Sequence, residues 1–220
     1  METIILIPPS ESKAVDGTSE PLQPVHPITA LLHGQIKRTE PTKLYGLKGA
    51  NLDEAICINQ ELLKTNTLPA MQRYIGVVYD AIDYPTLKNK ELFDKRIRIV
   101  SALFGLVKPQ DLIPNYRLKM DKLQADKLWL EENSKQLEKV FVIDLLPQSH
   151  KKALTYKDGI SVEFVLTKND KKMPAGHQGK QVKGKFIRWL IENDIQDQSK
   201  FADFKEDGYV WTGTEFLKND

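Results

Sequence analysis

Short continuous apolar runs alternate with amphipathic stretches along most of this chain, and that alternation predicts an α/β fold. Residues 4–7 (IILI) are unbroken apolar and are stopped by Pro8 and Pro9, the pattern of a strand buried on both faces. Similar short, β-branched runs predict strands over 75–79, 96–100, 140–145 and 160–166, with a last strand over 209–211. Helical periodicity marks 27–33, 52–63, 88–95, 123–139 and 178–193. Within 52–63, Leu52, Ala55, Ile56, Asn59 and Leu63 share one face; within 178–193, the apolar side holds Val182, Phe186, Trp189 and Leu190. The stretch from Ser10 to Pro27 is rich in Ser, Pro and Gly and reads as a mobile surface loop. No internal repeat, low-complexity tract or sharp linker interrupts the pattern, so the chain reads as one domain over 1–220. The expected architecture is α/β, shading into mixed α+β, with a mixed sheet flanked by helices.

Composition narrows the partners without naming one. The chain has 220 residues, 40% hydrophobic and 28% charged, which is an ordinary globular balance. Its formal net charge is only +2, so a nucleic-acid partner would have to be met by locally clustered cations. No apolar run approaches the roughly 20 residues that span a bilayer, and no membrane partner is expected. The opening METIILIPPS has too short an apolar stretch, and an acid where a basic region belongs, for a signal peptide. Cys57 is the sole cysteine, which excludes an internal disulfide and fits a reduced cytoplasmic location. It sits in AICIN and reads as a small buried hydrophobe.

The familiar catalytic signatures are missing: no phosphate-binding P-loop, no dinucleotide glycine fingerprint, no nucleophile elbow. The four histidines lack metal-ligand spacing, so no metal or other cofactor is expected. What remains is a set of polar segments at the ends of predicted strands, where α/β folds place ligands. PPSESK offers the hydroxyl of Ser10 and the cation of Lys13 to an anion; a plain polar turn is the simpler alternative. Residues 96–121, RIRIVSALFGLVKPQDLIPNYRLKMD, run from a strand through Pro109 and Pro114 to Tyr116, Arg117 and Lys119. Tyr116 suits a stacked base and Arg117 a phosphate, or else the tyrosine packs and the arginine makes an ion pair. In GKQVKGKFIRWLIEN, Lys180 and Lys183 share a helix face beside Gly184, with Arg188 to one side. A glycine inside a helix costs about 1 kcal/mol against alanine, so Gly184 points to close approach by something. Residues 43–64 resemble a helix-hairpin-helix, with GLKGAN and its Lys48 as the turn; a loop before a helix capped by Asn51 and Glu54 is the alternative. Tyr79 and Asp80, after the predicted second strand, form an alternative polar site; Asp80 and Asp83 would be metal or acid/base candidates, or else caps and ion-pair partners.

Taken in order, these segments resemble the YaaA family of bacterial peroxide-stress proteins. The match rests on PPSESK, YIGVVYDAID, SALFGLVKPQDLIPNYRLKM, FVIDLLPQSHKKAL, GKQVKGKFIRWLIEN and FKEDGYVW, which together cover most of the chain. It departs from the family pattern at Ser12, where many members have glycine, and at Gln181, where they carry a second adjacent lysine. The resemblance implies a compact α/β protein with a basic cleft and a helix-hairpin-helix that binds DNA without sequence specificity. Distorted, bubble or single-stranded DNA would be the partner, and survival of peroxide stress the setting. On matching segments, Ser10, Lys13, Arg117, Lys119, Lys180, Lys183 and Arg188 would line that cleft. The competing expectation is an enzyme acting on a nucleotide or other phosphorylated small molecule in the same place, using Ser10, Lys13, Tyr79 and Asp80.

Overall fold

The structure is a computed structural model that describes residues 2–168 and 171–219. Its strands are β1 (Glu2–Ile7), β2 (Ser19–Pro21), β3 (Asn66–Pro69), β4 (Ile97–Ser101), β5 (Gly105–Val107), β6 (Leu112–Ile113), β7 (Val140–Asp144), β8 (Asp158–Ser161), β9 (Phe164–Lys168), β10 (Lys171–Pro174), β11 (Val210–Trp211) and β12 (Phe216–Asn219). Its α-helices are α1 (Pro27–Arg38), α2 (Pro41–Tyr45), α3 (Ala50–Gln60), α4 (Ala70–Arg73), α5 (Val77–Ile82), α6 (Lys90–Arg96), α7 (Ala125–Lys135), α8 (Gln148–Lys151) and α9 (Gly176–Glu192).

The main sheet has the order β5-β4-β1-β7-β8. β1 lies in the middle and runs parallel to β4 and β7; β7 is parallel to β8, and β5 turns back antiparallel on β4. A central parallel strand is covered on both faces, which is why β1 could be an unbroken apolar run: Ile4 to Ile7 are all buried. A second sheet, β10-β9-β12-β11, stands beside it, and a small antiparallel sheet, β2-β3-β6, closes the structure near the first loop. The second sheet and α9 enclose an aromatic core. Phe164 stacks on Phe216 at 5.0 Å, and Phe186 meets Phe201, Phe204 and Phe216 edge-on.

Four expectations change here. The predicted strand over 75–79 is the helix α5. Gly76, at φ +112, turns the chain out of an extended segment, and Tyr79 and Ile82 then face inward at helical spacing. Burial against α9 outweighs the β preference of the Val-Val pair. The predicted strand over 160–166 is two strands in different sheets. The chain crosses at Val162, whose N–H donates to Asp144, and Glu163, whose carbonyl accepts from Phe216. Cys57 is exposed: Ala55 and Asn59 take the inward face of α3 and leave the cysteine on the other side. The loop after β1 is also tied down. β2 pairs with β3, and the buried Arg73 guanidinium donates to the carbonyls of Ala14, Val15 and Asp16. No helix among the described residues is long and apolar enough to cross a membrane.

Candidate functional site

Three parallel strands deliver their polar exits to one edge of the main sheet. At the end of β1, Tyr79 from α5 donates its hydroxyl to the Pro8 carbonyl at 2.9 Å and fixes the exit. The next turn is closed by Ser12 N–H donating to Ser10 Oγ and by Lys13 Nζ donating to the Ser10 carbonyl at 2.9 Å. At the end of β4, buried Ser101 accepts from the N–H groups of Leu103 and Phe104 and pairs with the Tyr116 hydroxyl at 2.8 Å. Tyr116 in turn pairs with the Tyr74 hydroxyl at 2.8 Å. At the end of β7, Asp144 accepts from Leu146 N–H, and α8 then presents Ser149 and His150.

Between these exits lies a cavity of about 310 Å³, lined among others by Ser10, Lys13, Leu47, Arg117, Lys119 and His150. That volume is at the small end for a ligand site. The Lys13 ammonium sits 4.3 Å from the centre of the Tyr116 ring and 5.5 Å from that of Tyr74. Burial, and next the Arg117 charge, pull its pKa down to about 7. Burial likewise pushes His150 down to about 4, so it is a neutral imidazole at pH 7, with Ser149 Oγ 3.1 Å from its Nδ1. Glu11 joins the two walls. Its carbonyl accepts from Arg117 at 3.1 Å, and its carboxylate lies 3.6 Å from Lys119 Nζ. Both side chains of the latter pair are exposed, so this contact is weak.

Because Lys13 binds its proton less tightly folded than unfolded, the unfolded chain holds more protons between about pH 7 and 10, and stability rises with pH there. The cost of burying this cation is complete below pH 7. Lys13→Met should therefore melt a few degrees above the parent at pH 6, with the gap narrowing by pH 9. Equal gaps at both values in thermal melts would contradict the assignment.

Asn59 shapes the site from beneath, a role no local pattern announces. From the inward face of α3, its Nδ2 donates to the Arg117 carbonyl at 2.6 Å and to the Tyr45 hydroxyl at 2.7 Å, while its Oδ1 accepts from Arg117 N–H at 2.9 Å. An isolated polar residue on an apolar helix face was the available signal. Asn59→Ala strands both Arg117 backbone groups and should cost about 2–3 kcal/mol in urea unfolding, with faster hydrogen exchange at the Arg117 amide.

A wider groove of about 600 Å³ lies beyond residues 146–150; Leu146 to Gln148 line it, while Ser149 and His150 line the first cavity. Lys180 and Lys183 border this groove together with Glu163, Lys172 and Glu215. Lys180 is exposed. Lys183 is half-buried, its Nζ donates to the Leu145 carbonyl at 2.7 Å, and burial pulls its pKa to about 8. Neighbouring Lys151 donates to Ser161 at 2.6 Å and to Glu163 at 3.1 Å.

The residues singled out from sequence thus divide. Ser10, Lys13, Tyr116, Arg117 and Lys119 meet at one cavity, while Lys180 and Lys183 flank the adjacent groove. Lys48 is exposed on the turn joining α2 to α3, next to Leu47 of the cavity wall. That turn is made by Gly46 and Gly49, at φ +64 and +56, and Gly49 rather than Asn51 holds the N-cap position of α3. Arg188 joins neither site. It donates to the carbonyls of Ile82, Asp83 and Thr86 and pairs with Glu192 at 2.8 Å, closing the end of α5. Tyr116 is 1% exposed, with its hydroxyl engaged and Phe104 edge-on at 5.2 Å, so its ring offers no open face for a base. Tyr79 is buried as the clamp on Pro8. Asp80 is exposed on the first turn of α5, and Asp83 pairs with Arg188 and Thr86. Among the described residues no group of three or more His, Cys, Asp or Glu stands together as a metal site.

Fold and site together define an α/β protein with a cavity, lined in part by Lys13, Arg117 and Lys119, at the carboxyl ends of a mostly parallel sheet. The sequence profile described as "Peroxide stress protein YaaA" matches residues 3–214, and the chain belongs to that family. A UPF0246 protein of Corynebacterium glutamicum strain R is 34% identical over 213 residues, covering 85% of this chain and 84% of the relative. A UPF0246 protein of Clostridioides difficile strain 630 is 31% identical over 159 residues, covering 65% and 64%. One from Hahella chejuensis is 27% identical and covers 94% of each chain. Family membership supports a role in the oxidative-stress response.

Proposed function

We propose that the protein binds DNA through its phosphates as part of the peroxide-stress response. The observation that carries this is the convergence of Ser10, Lys13, Arg117 and Lys119 on one cavity whose wall includes Leu47 of the α2–α3 turn. Cations around a Gly-bearing turn between two helices suit a phosphodiester backbone, and Lys180 and Lys183 extend the cationic lining across residues 146–150. With a net charge of only +2, affinity rests on this local clustering. Binding is to backbone and shape rather than to a stacked base, since the Tyr116 ring is enclosed.

The test is fluorescence anisotropy with single-stranded, duplex and bubble DNA across a salt series. Affinity should fall log-linearly with salt, and the bubble should bind most tightly. Lys48→Glu with Lys180→Glu, both at exposed positions, should weaken binding at least tenfold while the melting temperature stays within about 2 °C. Lys183 is a poor choice for charge reversal, because it sits beside Asp144 and Glu163 and bonds the Leu145 carbonyl. Absence of binding at low salt would refute the proposal. A second function, an enzyme acting on a phosphorylated small molecule, is favoured by one feature: the partly buried Lys13 lies in a cavity small enough to hold such a ligand.

A further inference from the structure

We propose that Lys13 is a nucleophilic amine and that its cavity takes an aldehyde or ketone bearing a phosphate, which condenses with Nζ to form an imine. This goes beyond phosphate binding and does not depend on DNA being the ligand.

The argument starts from where the amine stands. Nζ lies over the Tyr116 ring, with Tyr74 behind it, and its hydrogen-bond partners are the Ser10 carbonyl at 2.9 Å and the Glu11 carbonyl at 3.5 Å. A carbonyl accepts an N–H from either form of the amine, so the nitrogen lone pair of the neutral form is left unused. No carboxylate makes an ion pair with Nζ within 4 Å among the described contacts, in contrast to Lys119, Lys151 and Lys185. The charges nearest Lys13 are Arg117 and Arg73, which disfavour its protonation, and Glu11, which favours it without outweighing them and burial. Lys119, Asp121 and His150 line the same cavity, with His150 neutral at pH 7. The balance lowers the Lys13 pKa to about 7, so the neutral amine is available near neutral pH. A lysine held this way is the ordinary starting point for imine chemistry.

The neighbours set the substrate class. Arg117 and Lys119 flank the amine, and among the described residues their side chains are held only by Glu11, so a phosphate can replace the carboxylate at Lys119 while the Arg117 side chain turns toward it. The step balances without an oxidant or reductant. The Nζ lone pair attacks the carbonyl carbon and a C–N bond forms. The carbonyl oxygen takes up the two amine protons by way of solvent and leaves as water, giving C=N. Such a carbonyl is present on a free sugar phosphate and also on the ring-opened sugar of an abasic site in DNA.

Reductive trapping decides the matter. The whole chain is incubated at pH 7 with sodium cyanoborohydride and either glyceraldehyde 3-phosphate, unphosphorylated glyceraldehyde, or an oligonucleotide containing one abasic site. Labelled lysines are then located by peptide mass mapping. Burial and the Arg117 charge favour the neutral amine at Lys13, so it should be labelled at least tenfold over exposed Lys48 and Lys90 at pH 7. Labelling at Lys13 should level off just above pH 7 while the exposed sites keep rising, and the phosphorylated aldehyde should exceed the unphosphorylated one about tenfold. Lys13→Arg should remove this label and leave the others. Trapping by glyceraldehyde 3-phosphate alone identifies a small-molecule site, and trapping by the abasic oligonucleotide identifies a DNA site; either supports the chemistry. Labelling of Lys13 no greater than that of Lys48 and Lys90 with every probe overturns it, even if DNA binding by anisotropy is intact.

Discussion

Arg73→Met should destabilise the protein by about 3–5 kcal/mol and lower its melting temperature by about 10 °C or more. Arg73 is 0% exposed. Its guanidinium donates to the carbonyls of Ile113, Asn66, Ala14, Val15 and Asp16. Methionine fills much of the same space but satisfies none of these acceptors: the carbonyl of buried Ile113 left unpaired costs on the order of 1 kcal/mol or more, and the half-exposed carbonyls lose the group that ties residues 14–16 to Asn66. Arg73→Lys should recover little, because one ammonium cannot reach acceptors spread around a planar fork. The loss also reaches the site. Residues 14–16 directly follow Lys13, so their release should speed hydrogen exchange there and blunt the Lys13 preference in reductive trapping. Urea unfolding within about 1 kcal/mol of the parent would show that solvent or backbone shifts replace the guanidinium.

Gly184→Val should cost about 3 kcal/mol or more and Gly184→Ala about 1–3 kcal/mol, despite the better helix propensity of alanine. A Cβ at this position would stand 2.4 Å from the Val78 carbonyl oxygen, 2.6 Å from Ala81 Cβ and 3.2 Å from Ile82 N. Those atoms belong to α5, which crosses α9 with its backbone against the glycine. Two of the three are backbone atoms, so no side chain can swing aside. The helices must separate, and α5 carries Tyr79, the clamp on the Pro8 carbonyl at the end of β1. The substitution should therefore weaken anion binding at the cavity as well as stability. A Gly184→Val protein that melts like the parent would mean that α5 and α9 pack less closely than this.

The partner that Gly184 admits is thus a helix of the same chain. The sequence marks the glycine as a site of close approach but not what approaches, since α5 is separated from it by about a hundred residues and was itself expected to be a strand. The same division runs through the site. PPSESK, YRLKM and the Lys180–Lys183 pair were visible as polar segments at strand ends or on a basic helix face. Their allotment to two neighbouring depressions was not, because it depends on the order β4-β1-β7 and on where the 146–150 segment falls. Arg188 looked like a member of the cationic set and is held by the end of α5; Tyr116 was legible either as a base platform or as a packed side chain, and it packs, as an enclosed relay between Ser101 and Tyr74. Asn59, which holds Arg117 from below, carried only the faint signal of a polar residue on an inward helix face.

The sequence by itself determined the class of fold, the central strand 4–7, the strands that follow α6 and α7, the amphipathic α9 and the family. These are written in local period and length: an apolar run of strand length or a stripe at helical spacing fixes which face is buried, whatever covers it. Only the tertiary structure decided that 77–82 coils against α9, that 158–168 is shared between two sheets, that Arg73 pins the first loop, and that Lys13 is set over two tyrosines beside Arg117. Each of those outcomes turns on what a residue touches across a long stretch of chain. Contact of that kind sets desolvation, hydrogen-bond satisfaction and pKa, and no local pattern encodes it.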